Sequence, residues 1–169
     1  LKNPSENSKR VYPRILFGRA TEMINDGRLA EADALLNQVL DNPYNRAVLP
    51  FAYFWKGEIG YRNKQLDTAI KYFHAYVDAG APTAGEANPV NAKYNLGYSY
   101  LRKENYKVSV TFFEPLIKAP ALNTDAFSQD AYMRTADNYF MMKNYDKARS
   151  MYESAIKLSW PAEDYATFQ

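Results

Sequence analysis

A chain of 169 residues that is 47% hydrophobic can bury a continuous core, which excludes a disordered segment. Its 21 basic and 19 acidic residues are interspersed and leave a net charge of +2, so no basic stripe marks it as a nucleic-acid binder. It has no cysteine, which excludes a disulfide framework or thiolate metal site, and no apolar run reaches the roughly 18 residues of a membrane span.

Residues 1–12 form a polar opening that starts Leu1-Lys2-Asn3 instead of with Met, as expected of a piece of something longer. Four similar units follow, at about 13–49, 50–85, 90–123 and 129–162. Each reads as two helices around a short polar turn: Asn25-Asp26-Gly27, Arg62-Asn63-Lys64, Lys103-Glu104-Asn105 and Lys143-Asn144. Such residues leave helical geometry cheaply, which is why they punctuate the pattern. On either side, apolar residues recur at helical spacing, as in Tyr132, Ala136, Tyr139 and Phe140, then Tyr145, Ala148, Tyr152 and Ile156.

Pro43, Pro82, Pro120 and Pro161 mark unit ends, while Pro13, Pro50 and Pro89 fall near expected helix starts. Pro115 falls inside the expected second helix of the third unit and predicts a bend there. No run alternates like a half-buried strand, so the whole chain is predicted helical. Residues 163–169 look like the start of a further helix, and a solenoid stopping there would lack a polar cap. The native chain is therefore expected to continue into further repeats.

Small residues twelve positions apart recur in every unit: Ala20/Ala32, Gly57/Ala69, Gly97/Ser109 and Ala136/Ala148. Each second member is followed four residues later by a bulky one: Leu36, Phe73, Phe113 or Tyr152. In an antiparallel helix pair the two small sites face each other, and larger side chains there would push the axes beyond the usual 8–10 Å or so. A period near 40 residues means stacked units that each bury a face against the next, and such units more often bind proteins than perform chemistry.

These residues resemble the tetratricopeptide repeat (TPR) family. The third unit carries the family pattern best, in Leu96-Gly97, Tyr100, Tyr106, Ser109, Phe113 and Pro120. The fourth is similar in Tyr132, Ala136, Tyr139, Tyr145, Ala148, Tyr152, Ala155 and Pro161, and the second in Tyr53, Gly57, Leu66, Ala69, Phe73 and Pro82. Departures are a period longer than the 34 or so residues of the standard repeat and Lys93 where an aromatic is expected. The resemblance implies an all-α fold, a right-handed α-α superhelix of about four helix-turn-helix units. Long inter-repeat loops such as 79–88 look most like bacterial cell-envelope members, which implies a periplasmic or envelope location.

The resemblance further implies a non-catalytic scaffold that holds a protein or peptide in a concave groove lined by first helices. The groove residues would be Phe17, Thr21, Phe54, Glu58, Arg62, Tyr94, Tyr98, Arg102, Met133 and Asp137. Relatives that clamp chaperone C-terminal carboxylates carry Lys and Asn where this chain has Phe17 and Thr21, so the clamp is not implied. Other uses are a structural spacer within a longer multidomain protein, and an RNA-binding helical repeat.

No catalytic constellation appears. His74 has no partner at metal-ligand spacing, and Gly57-Glu58-Ile59-Gly60 lacks the strand and the Lys-Ser/Thr of a phosphate loop. Asn3-Pro4-Ser5 is barred from glycosylation by its proline. The aromatics fall mostly on repeat core positions. The expectation is therefore a non-enzyme with no cofactor, no metal, no nucleic acid and a protein or peptide partner.

Overall fold

The computed structural model describes residues 5–117 and 125–169. The helices are α1 (Glu6–Asn25), α2 (Leu29–Asp41), α3 (Leu49–Arg62), α4 (Leu66–Asp78), α5 (Pro89–Arg102), α6 (Tyr106–Phe113), α7 (Ala126–Met141), α8 (Tyr145–Lys157) and α9 (Glu163–Phe168). A 3-10 turn covers Glu114–Leu116, and the only β pairing among the described residues is the isolated bridge Ala84–Ala87. The fold is thus an all-α helical repeat. It divides into two compact units, Leu1–Ala92 and Lys93–Gln169.

The four predicted turns all occur, and all are built alike. Gly27, Lys64, Glu104 and Lys143 sit at φ of 75°, 60°, 59° and 62°, the left-handed region. The next residue in each case donates its N–H five residues back: Arg28 to Met23, Gln65 to Gly60, Asn105 to Tyr100 and Asn144 to Tyr139. This satisfies carbonyls that a helix end would otherwise orphan. Only the first turn uses the residue best suited to positive φ. Gly27→Ala should therefore lower stability by about 1 kcal/mol, and Lys143→Gly should raise it by about 0.5–1 kcal/mol. Urea unfolding of the two variants checks the sign; shifts in the same direction would refute the account.

Two prolines behave differently from expectation. Pro13 does not start α1: the helix begins at Glu6, with Pro13 buried inside it. Ser5 provides the start, its hydroxyl accepting from the Ser8 N–H at 3.1 Å, with Glu6 favourably placed at the helix N-terminus. Residues 6–12 therefore form the first turns of α1. Pro115 stops α6 instead of bending it. That helix has 8 residues where α2, α4 and α8 have 13, because Pro115 has no N–H to continue the ladder and its ring crowds the preceding turn; Glu114 keeps helical geometry and leads into the 3-10 turn. Pro120 lies outside the described residues.

In the first unit, Leu16, Ala20, Ile24, Ala32, Leu36, Val39 and Ala52 are part of one buried cluster. Phe54, Phe73 and Tyr76 form an aromatic group with Phe54 edge-on to both partners. Lys56 is only 6% exposed. Its ammonium donates to Asp33 at 2.6 Å and to Asn37 at 2.8 Å, tying α3 to α2. In the second unit, Tyr132, Met133, Ala136, Ala148, Met151, Tyr152, Ala155 and Trp160 belong to a single cluster. Each fully buried large side chain contributes about 1.5–3 kcal/mol relative to exposure.

All eight small residues are buried. At Gly57 an added Cβ would stand 2.8 Å from the Phe73 ring, and at Gly97 the same distance from Phe113. The bulky residue four positions on thus lies flat against the small one. Ser109 adds a polar link: its hydroxyl donates to the Gly97 carbonyl at 2.8 Å and accepts from the Asn138 amide at 3.0 Å. Asn138 is fully buried on α7, so the link threads α5, α6 and α7.

Candidate protein-binding surface

In the first unit, one face of α3 carries Phe51, Trp55, Glu58 and Arg62, at spacings of four, three and four. Phe51 and Trp55 meet Phe17 and Thr21 of α1 around a cleft of about 470 Å³. The Phe17 and Phe51 rings are 6.3 Å apart. Asn25, Ala47 and Val48 extend the wall, and residues 84–87 of the α4–α5 loop close one side. The loop is held in place by the Ala84–Ala87 bridge and by the Asn91 amide donating to the Glu86 carbonyl at 2.8 Å. A concave site with half-buried aromatic rings and few charges suits an apolar side chain of a peptide.

In the second unit the first helices α5 and α7 are tied to each other instead. The Tyr94 and Tyr98 hydroxyls both donate to Asp130 Oδ2 at 2.6 Å, and Phe127 stacks on Tyr94 at 4.2 Å. Arg134 sits 3.4 Å from Asp130 and 2.6 Å from Asp137. Asp137 Oδ1 in turn accepts from Tyr152 at 2.7 Å and from Tyr165 at 2.9 Å. Four tyrosines, two carboxylates and one guanidinium therefore join α5, α7, α8 and α9. Burial pushes the ionisation of Tyr94, Tyr98 and Tyr152 far above the ordinary phenol value, and the carboxylates they face add to it.

The predicted groove residues separate accordingly. Phe17 and Thr21 line the first cleft. Glu58 and Arg62 pair with each other at 3.0 Å beside it. Phe54 and Met133, only 2% and 1% exposed, lie in the packed core and cannot meet a partner. This corrects their expected place: three positions before the small residue points inward on α3 and α7, and the open face lies two and six positions before it. Tyr94, Tyr98 and Asp137 are in the tyrosine–carboxylate network, and Arg102 is exposed at the end of α5.

Phe51, Trp55, Asp130 and Arg134 were not anticipated. Their signal was the i, i+4, i+7 spacing they share with Glu58 and Asp137, which marks one helix face. No helix among the described residues is long and apolar enough to cross a membrane.

Profiles described as tetratricopeptide repeat match residues 17–84, 90–120 and 130–159. Among solved structures, a protein from Podosopora anserina assigned as a kinesin light chain, with nearly identical TPR-like repeats, superposes with a TM-score of 0.62. The match has 17% identity and covers 92% of this chain and 77% of that one, so it speaks for the fold alone. No curated protein matches this sequence.

Proposed function

We propose that this chain, which belongs to the tetratricopeptide repeat family, is a non-catalytic scaffold that holds a protein or peptide partner on the first helices of its repeats. Repeats of this family generally mediate protein–protein interaction. The observation that carries the reading is the cleft of Phe17, Thr21, Phe51 and Trp55. Its rings stand half-buried around an open volume instead of filling it. Aromatic anchors of this kind give a peptide side chain large contact area with little rotamer entropy to lose. The network on α5 and α7 serves a different end: its tyrosine hydroxyls are paired with its carboxylates, which makes it a support between helices.

The test is a peptide library displayed on phage and selected against the purified chain. Peptides so selected should lose at least about 30-fold in affinity when Phe51 and Trp55 are both changed to alanine, since an aromatic hot spot is worth about 2 kcal/mol or more. Tyr94→Phe should leave affinity unchanged. Undiminished binding by a folded Phe51→Ala, Trp55→Ala variant would remove this cleft as the site.

A further inference from the structure

A second cleft in the first unit has a different chemistry. Arg10 and Arg14 stand one helical turn apart on α1, so both project from the same face. Arg46 reaches them from the loop between α2 and α3. With Pro43, Tyr44 and Ala47, these three arginines line a cleft of about 610 Å³.

Most other arginines are neutralised close by. Arg19 pairs with Glu22, Arg28 with Glu31, Arg62 with Glu58, Arg134 with Asp130 and Asp137, and Arg149 with Glu153. Arg10, Arg14 and Arg46 enter no ion pair among the described residues. The Glu6 carboxyl, one turn before Arg10, is held below its usual range first by Lys9 and to a lesser degree by Arg10. Glu6 is matched by the Lys9 ammonium at 2.6 Å, so the cleft keeps three uncompensated positive charges. Like charges one turn apart destabilise a helix, a repulsion that bound anions would remove.

We propose that this cleft binds an acidic peptide segment, a short run of Asp or Glu side chains. The planar guanidinium fork matches a carboxylate through two parallel hydrogen bonds, and three forks around one cavity match several carboxylates in sequence. A bounded cleft suits a short segment better than a lipid surface, which would need an open basic face. Nucleic acid would need a basic track longer than one cleft to follow its phosphates. The site shares Ala47 with the aromatic cleft but none of its rings, so it stands whether or not that cleft binds a partner.

The experiment is fluorescence anisotropy with a labelled oligoglutamate peptide, using wild type, Arg14→Gln plus Arg46→Gln, and Trp55→Ala. The arginine positions are exposed, so the double variant should stay folded, which circular dichroism verifies. Oligoglutamate should bind wild type and Trp55→Ala alike, and at least about tenfold more weakly to the double variant. Equal binding by the double variant would overturn the proposal. Tighter binding of wild type to oligouridine RNA or to phosphatidylglycerol vesicles than to oligoglutamate would overturn it too.

Discussion

Gly60→Ala is expected to destabilise the first unit by about 1–3 kcal/mol, the range for overpacking a close contact. Gly18→Ala should instead stabilise it by about 0.5–1 kcal/mol. A Cβ at Gly60 would stand 2.9 Å from the backbone N of Ala69 and 3.2 Å from the Thr68 methyl. Backbone cannot swing aside, so α3 and α4 would have to separate. At Gly18, within α1, nothing lies within 4 Å, and alanine only restricts the unfolded chain. Gly57→Ala should also destabilise, because its obstacle is the face of the fully buried Phe73 ring, 2.8 Å away. Urea titrations in single-tryptophan backgrounds, keeping either Trp55 or Trp160, report the two units separately. Equal and opposite shifts need not occur, but a Gly60 variant as stable as wild type would refute this packing account.

Asp130→Ala should destabilise the second unit by about 2–3 kcal/mol, since two tyrosine hydroxyls lose their acceptor at once. Asp130→Asn, which keeps one oxygen, should lose about 1 kcal/mol. The same network sets a pH dependence. Tyr94 and Tyr98 hold their protons more tightly in the folded chain than the ordinary value of 10.0, through burial first and the hydrogen bond to Asp130 second. Their contribution to stability is therefore fully present below about pH 10 and declines as pH rises above it. The urea midpoint should hold steady from about pH 7 to 9 and fall beyond 10, and Tyr98→Phe should reduce that fall. An identical alkaline slope in the Tyr98→Phe variant would rule the network out as its source.

The repeat architecture was legible because its signals are local. A turn at Asn25-Asp26-Gly27 or Lys143-Asn144 depends on residues within one helical end, and the small pairs depend on a helix crossing that each unit repeats. The open face of the first helices was less legible. Phe54 and Trp55 are neighbours in sequence yet about 100° apart around α3, and which ring faces inward is settled by Phe73 and Tyr76, not by either ring's own chemistry. Asp130 and Arg134 were missed for a related reason: their partners lie on α5 and at Asp137, and spacing along one helix cannot reveal who answers from another. Pro13 was misplaced because its own preference for a helix start yielded to the cap that Ser5 supplies.

The Gly97–Ser109–Asn138 link has a consequence for the order of the repeats. The other three units carry Ala32, Ala69 and Ala148 where Ser109 stands. Transplanted behind any of those units, the α7–α8 pair would press the buried Asn138 amide against a methyl group, leaving one N–H without an acceptor at about 1–3 kcal/mol. Three alanines accept any neighbour of the right shape; one serine recognises its successor. The link makes two otherwise interchangeable modules an ordered pair.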